Sequence, residues 1–149
     1  MNRDALTALK KKANQEPYAN KLGLELLTLD EGHAIVQMLP QKDMENIFGM
    51  THGGAIFSLI DEAFQLSCNS HGTVAVALNV SVTYHRTPDS RRPLIAESKE
   101  VHLTRRTGTY EIRVTHDNGE LIASSMALAF RKSDKLPFLK DIPEHDAPK

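Results

Sequence analysis

Apolar residues recur at helical spacing near the start of the chain and then alternate with polar ones. Residues 3–15 carry one apolar stripe with lysines near its C-terminal end, which predicts a short amphipathic helix, and Pro17 should stop it. The alternation that follows predicts two strands, 22–29 and 33–39, joined by an Asp-Glu-Gly turn. A polar loop is then expected as far as Thr51.

The central helix is predicted to run from Gly53 to Asn69 and to be buried on nearly all sides. Its apolar residues cover almost the whole circumference: Ile56, Phe57, Leu59, Ile60, Ala63, Phe64, Leu66 and Cys68. A helix that is apolar all round packs inside a protein. Asp61 lies on this helix, and a buried carboxylate is costly unless it is paired or used in chemistry.

The rest of the chain predicts strands. We expect them at 74–85, 94–103, 110–115 and 121–130. Asp117-Asn118-Gly119 is typical of a hairpin turn, and the proline-rich, charged tail 133–149 should be an extended or frayed extension. Strands linked by hairpins form antiparallel sheets, so the order predicts an α+β fold in which a curved sheet wraps one long helix.

Length and composition narrow the class of protein. The 149 residues, 40% of them hydrophobic, favour a single domain, 1–149, with a core of about 17–131. A net charge of −1 gives no general attraction to nucleic acid or to an anionic membrane. One cysteine, no signal sequence and no apolar run near the ~20 residues of a membrane span predict a cytoplasmic protein without membrane or nucleic-acid partners.

The loop before the central helix carries the most specific chemical signal. In His52-Gly53-Gly54, two glycines free the first backbone N–H groups of the helix for close approach by a ligand. These donors and the helix dipole would stabilise a developing oxyanion. Together with the carboxylate of Asp61, they predict acyl-transfer chemistry.

This order of elements, with Asn46 six residues before His52 and Asp61 nine residues after it, resembles the hotdog-fold acyl-CoA thioesterases. The likeness is greatest to the phenylacetic-acid-degradation branch and covers residues 17–131. It implies hydrolysis of acyl-CoA to free acid and CoA, with the N–H of Gly53 as oxyanion donor and Asp61 as nucleophile or general base. It also implies that Asn46 holds the water or thioester and that His52 supports the loop.

The resemblance also implies substrate-binding residues. We expect Gly54 and Phe57 on the helix to contact the substrate, and Arg86 or Arg106 to bind the phosphates of CoA, although such arginines are usually only solvated charges. Some relatives add a Ser or Thr from the first long strand. Ala77 occupies that position here, and Asn79 is the expected substitute.

No metal or organic cofactor is expected. None of the seven histidines has the spacing of a metal site, and CoA belongs to the substrate. Cys68 is expected to be a core thiol, and Glu62 a salt-bridged surface or interface residue.

The spacing of Gly53 and Asp61 predicts a site shared between two chains. The two residues lie about 12 Å apart along a helix axis, too far for both to reach one thioester carbon. Two antiparallel helices across a two-fold axis solve this, so we expect a homodimer, or a homotetramer assembled from such homodimers.

Other interpretations of these residues remain open at this point. Asp61 can be a structural acid, His52 a helix cap and Asn46 a turn former, with the two glycines serving only close packing. The alternative functions are a hotdog hydratase or dehydratase, and a module that binds acyl-CoA without turnover.

Overall fold

One antiparallel sheet wraps around one long helix in the computed structural model, which describes residues 3–141. In chain order the elements are α1 (Arg3–Asn14), α2 (Pro17–Leu22), β1 (Glu25–Asp30), β2 (His33–Met38), a 3-10 turn (Lys42–Met44), α3 (Gly53–Asn69), β3 (Thr73–Tyr84), β4 (Leu94–Leu103), β5 (Thr107–His116), β6 (Leu121–Lys135) and a second 3-10 turn (Pro137–Asp141). The strand order is β1-β2-β4-β5-β6-β3, and every neighbouring pair is antiparallel. The predicted α+β fold is therefore confirmed.

The core lies between α3 and the concave face of the sheet. Phe64 of α3 meets Tyr110 of β5 edge to face, with ring centroids 5.6 Å apart. Leu59 and Ile60 have no exposed surface, and Cys68 is a buried core thiol as expected. Burial of these apolar side chains is what holds the helix against the sheet.

The bounds of α3 and β4 agree with the prediction, but the start of the chain differs. The helix predicted over 3–15 is α1, which ends at Asn14, before Pro17, as expected. Pro17 also begins α2, because the first position of a helix needs no backbone N–H. Gly23, with φ +66°, then ends α2 in the left-handed conformation. The first strand consequently starts at Glu25 rather than at residue 22.

The end of the chain is also more regular than expected. β6 continues to Lys135, because β3 offers a partner along its whole length, from Thr73 opposite Lys135 to Tyr84 opposite Ala123. Residues 133–135 therefore belong to a strand, and a 3-10 turn follows at Pro137–Asp141. The rest of the predicted extension, 142–149, lies outside the described residues.

The helix α3 is not buried on all sides within one chain, contrary to the prediction. Gly54, Phe57 and Gln65 are exposed, and Ser58 and Asp61 are half-buried. These five residues follow a helical spacing and form one stripe, which we call the open face of α3. Next to it, β3 is an edge strand with β6 as its one neighbour in the sheet.

Candidate active site

A histidine cap organises the N-terminus of α3. His52 is the N-cap residue, and its Nδ1 accepts a hydrogen bond from the N–H of Gly54 at 2.7 Å. Its carbonyl accepts from the N–H groups of Ala55 and Ile56. Among the described residues, Gly53 is then left as the residue of the first helical turn whose N–H has no partner. The cap therefore leaves the N–H of Gly53 free to bind a ligand.

The two glycines differ in what surrounds them. A Cβ on Gly54 would lie 2.9 Å from Nδ1 of His52, so the cap requires glycine there. A Cβ on Gly53 would meet the ring of Tyr84 at 3.5 Å, an ordinary contact. The two glycines therefore differ in their roles. Gly53 has a free N–H, whereas Gly54 leaves the space that the imidazole of the cap needs.

Tyr84 is a site residue that the sequence interpretation missed. It is the last residue of β3, and its hydroxyl donates to the carbonyl of Gly53 at 3.1 Å. An aromatic residue at the end of the strand was visible in the sequence. That the strand ends beside the start of α3 follows only from the sheet order.

Gly53 lines a cleft of about 300 Å³. The cleft is lined by Asn46, Met50, Thr51, Gly53, Ile56, Tyr84, His85, Arg86, Thr87 and Pro88. Three predicted site residues, Asn46, Gly53 and Arg86, thus meet in one place. Arg86 is exposed and pairs with Glu120 at 3.4 Å, so its guanidinium already lies beside a carboxylate at the rim.

Asn46 shapes the loop that forms one wall of this cleft. Its Oδ1 accepts from the N–H groups of Phe48 and Met50 at 2.9 and 3.1 Å. The turn-forming interpretation of Asn46 is therefore seen directly. Its side-chain amide has no hydrogen bond to any described residue and remains available as a donor.

Asp61 lies two turns beyond Gly53 on the open face of α3. It is half-buried and forms no ion pair with a residue of the described range. Burial raises the pKa of its carboxyl, and the nearby charge of Glu16 raises it further. An unpaired, partly desolvated carboxylate has the properties of a base or nucleophile.

Glu62 does not match its prediction. It is 6% exposed and has no cationic partner among residues 3–141, so it is not a salt-bridged surface residue. Burial raises its pKa to about 8, and the hydrogen bond and charge of Glu16 and the charge of Asp61 add to the effect. Burial beside Glu16 and Asp61 therefore favours the neutral form of the Glu62 carboxyl.

The other predicted substrate-binding residues lie in different places. Phe57 is on the open face of α3, 37% exposed, where Gly54 also lies. Asn79 pairs with Leu128 on β6, so it points to the face of the sheet opposite to the buried Ala127. Asn79 is therefore not brought to the Gly53 cleft of its own chain.

Arg106 lies at the far end of the sheet from Gly53. Its carbonyl accepts from the N–H of Arg131, which pairs with Ala75 near the start of β3, whereas Gly53 contacts Tyr84 at the other end. These two β3 positions are nine residue steps apart, which corresponds to roughly 30 Å along a strand. One chain cannot place Arg86 and Arg106 on the same phosphate group.

The described residues contain no group of three His, Cys, Asp or Glu side chains that could hold a metal ion. No helix among them is long and apolar enough to cross a membrane. The expectation that the site needs no cofactor stays a prediction.

The family comparison decides what kind of protein carries this cleft. Residues 48–123, which include the histidine cap, α3 and Asp61, match the thioesterase superfamily. The chain belongs to the thioesterase superfamily. The predicted family is thereby confirmed.

Similar members of this superfamily extend the match beyond residues 48–123. The chain is 40% identical over 116 residues to a protein of Archaeoglobus fulgidus, covering 78% of this chain and 75% of that one. It is 34% identical over 105 residues to the acyl-coenzyme A thioesterase PaaI of Escherichia coli, covering 70% and 75%.

Two solved structures agree with this fold. The Escherichia coli PaaI structure superposes with a TM-score of 0.85 at 28% identity and covers 90% of this chain and 97% of that one. The smu.793 protein of Streptococcus mutans, solved bound to acetyl CoA, matches with a TM-score of 0.72 at 26% identity and covers 76% and 91%. The match to PaaI includes most of the chain outside the superfamily region.

Proposed function

We propose that this protein hydrolyses acyl-CoA thioesters to a free acid and CoA. The observation that carries the proposal is the histidine cap, which occupies the N–H of Gly54 and leaves that of Gly53 unpaired at the positive end of α3. A donor held in this way is prepared for the oxygen of a thioester carbonyl as it gains negative charge. The name of the Escherichia coli relative supports the substrate class.

Asp61 supplies the second half of the reaction. Its carboxylate either attacks the carbonyl carbon, forming a mixed anhydride that water then cleaves, or removes a proton from water as the water attacks. In both routes the C–S bond breaks, the thiolate of CoA leaves and takes up a proton, and the acid is released. The N–H of Gly53 stabilises the oxyanion of each tetrahedral intermediate.

The two groups come from different copies of the chain. Gly53 and Asp61 lie about 12 Å apart along α3, and an aspartate side chain is too short to close that distance. The open face of α3 and the unpaired edge of β3, with exposed Val76 and Leu78, offer adjoining surfaces for a second copy. A two-fold axis there sets the two helices antiparallel and brings Gly53 of one copy to Asp61 of the other.

The same geometry disfavours a hydratase or dehydratase. Such chemistry needs a histidine and an acid placed together for proton transfer at carbon. Nδ1 of His52 is occupied as the helix cap, which holds the imidazole against the backbone of α3 and does not leave both of its nitrogens free for proton transfer. Against a module that only binds acyl-CoA, the unpaired, half-buried Asp61 favours turnover.

CoA is proposed to enter through the Gly53 cleft. Arg86 at its rim can pair with a phosphate, and the free amide of Asn46 can donate to the thioester or to water. The acetyl CoA named in the structure of the Streptococcus mutans protein supports CoA as the carrier.

The direct test is release of free thiol from a panel of acyl-CoA esters. We expect Asp61→Asn to lower kcat about 10³-fold or more, because it removes the carboxylate and changes little volume. Glu62→Gln is the matched control, since the raised pKa of this carboxyl favours the neutral form, which glutamine resembles, and it should keep near wild-type turnover. Near wild-type turnover of Asp61→Asn would eliminate Asp61 as the catalytic carboxylate.

The shared site can be tested with a second pair of variants. Gly53 is the first residue of α3, where proline is tolerated, and His52 before it already has the extended backbone that proline requires (φ −63°, ψ 137°). Gly53→Pro therefore removes the donor without breaking the helix, and Gly53→Ala keeps the N–H as control. Mixing inactive Gly53→Pro with inactive Asp61→Asn should restore activity in hybrid dimers. Inactive hybrids that are shown to form would contradict the shared site.

A further inference from the structure

A second and larger cavity lies beyond the catalytic residues and has no role so far. It measures about 620 Å³ and lies between α1, the C-terminal half of α3, the start of β3 and the 3-10 turn at Pro137–Asp141. We call it the α1 cavity. Its apolar walls come chiefly from Leu9, Ala13, Leu66, Ala75, Leu136 and Phe138. Its volume is in the range of small-molecule sites, about 300–1,000 Å³.

The α1 cavity opens close to Asp61. Gln65, one helical turn after Asp61 on the open face of α3, lines it, so the cavity begins about 6 Å further along the helix. Glu16 lies at the same opening and accepts a hydrogen bond from Nε2 of Gln65 at 3.1 Å. The charge of Glu16 also raises the pKa of Asp61, as expected if the mouth of the cavity lies close to that carboxylate.

The α1 cavity and the cleft at Gly53 differ in chemistry. The cleft at Gly53 is lined by polar groups such as Asn46, His85 and Arg86, whereas the α1 cavity is mostly apolar. In the proposed dimer Asp61 of one copy lies opposite Gly53, the first residue of α3 in the other copy. Residues 62–69 of the first helix therefore extend beyond the N-terminus of the second helix. The α1 cavity of one copy therefore adjoins the Gly53 cleft of the other, with the thioester position between them.

We infer that the α1 cavity receives the acyl group of the thioester, while the CoA portion lies in the polar cleft of the other copy. This inference rests on the proposed function. The occupant is an apolar acyl group larger than acetyl, because a cavity of this size would leave most of its apolar wall unfilled around two carbons. Acyl preference is then set by α1 and by the C-terminal 3-10 turn, both outside the superfamily match at 48–123.

The experiment measures kcat/KM for a series from acetyl-CoA to decanoyl-CoA. In the wild type each methylene buried in the cavity should raise kcat/KM by up to about fourfold, until the cavity is full. Ala13→Leu, which keeps a good helix former while filling space, should lower kcat/KM for decanoyl-CoA about tenfold or more. The same variant should leave acetyl-CoA within about twofold.

A second variant changes the cavity in the opposite sense. Phe138 packs partly buried against the core, with Nζ of Lys12 5.9 Å from its ring, and Phe138→Ala enlarges the cavity. We expect its preference to move to longer acyl chains. Phe130→Ala is the matched control, since Phe130 pairs with Val76 in the sheet, is partly exposed and does not line the cavity. Circular dichroism and gel filtration verify folding and assembly, and either folded variant decides the question.

The outcomes separate the two proposals. An unchanged chain-length preference in both variants, with Asp61-dependent hydrolysis intact, would overturn the acyl assignment alone. Weakened assembly with an unchanged preference would show that the α1 cavity is a subunit contact and would also overturn it. Failure of the wild type to hydrolyse any acyl-CoA would overturn the proposed function, and this inference with it.

Discussion

Glu62→Gln is expected to stabilise the protein at alkaline pH and to leave its stability in acid almost unchanged. Burial and the neighbouring Glu16 raise the pKa of Glu62 from 4.5 to about 8. Between these values the folded protein keeps a proton that the unfolded chain releases. Stability therefore falls as pH rises through this window, by at most about 1.4 kcal/mol per pH unit for this group. Glutamine has no proton to lose and removes this dependence.

The size of the effect follows from the surroundings of Glu62. The full pKa difference corresponds to about 5 kcal/mol by pH 8. Glu16 is only half-buried, and a cavity of about 110 Å³ beside Glu62 is large enough for water. Solvent at both places reduces the effect of Glu16 and of burial on Glu62. We therefore expect the free energy of unfolding of Glu62→Gln to exceed that of the wild type by about 2 kcal/mol at pH 8 and by almost nothing at pH 4.5.

Urea unfolding at fixed protein concentration, repeated between pH 4.5 and 8, measures the difference. Parallel stability curves for wild type and Glu62→Gln would refute the reasoning, because they would mean that Glu62 titrates alike in the folded and unfolded chains. Glu16→Gln provides the cross-check. Removing the charge of Glu16 should lower the pKa of Glu62. The free energy of unfolding should then decline over a narrower pH range than in the wild type.

Three further predictions concern the site. Gly54→Ala should weaken the cap, because the new Cβ lies 2.9 Å from the imidazole of His52, and we expect a loss of about 1 kcal/mol in thermal or urea unfolding together with reduced kcat. Unchanged stability and kcat would contradict the role of the cap. The kcat/KM profile should fall in acid along one limb set by Asp61, and Glu16→Gln should move that limb to lower pH, since the charge of Glu16 raises the pKa of Asp61. An acid limb at unchanged pH would show that the charge of Glu16 does not raise the pKa of Asp61. Arg86→Ala should raise KM for acyl-CoA, spare kcat and hardly affect acyl-N-acetylcysteamine, which has no phosphates; equal losses on both substrates would indicate a structural arginine.

The sequence alone determined the central helix and the family of the protein. The bounds of α3 could be predicted because both ends carry local signals. The apolar helical pattern follows Gly53-Gly54 and stops at the polar pair Asn69-Ser70. The spacing of His52, Gly53 and Asp61 was equally local. It was enough to identify the family, which is confirmed, and to predict acyl transfer at a site shared with a second chain.

Tertiary structure alone decided which groups around that motif are paired and which are free. The length of β6 depends on pairing with β3, and the contact of Tyr84 with Gly53 depends on strand order, so neither has a local signal. Glu62 was expected to be a salt-bridged surface or interface residue, yet it is buried within one chain, with Glu16 as its hydrogen-bond partner. Burial and hydrogen bonding depend on residues distant along the chain, and they determine that the N–H of Gly53 is free and that the pKa of Glu62 is raised.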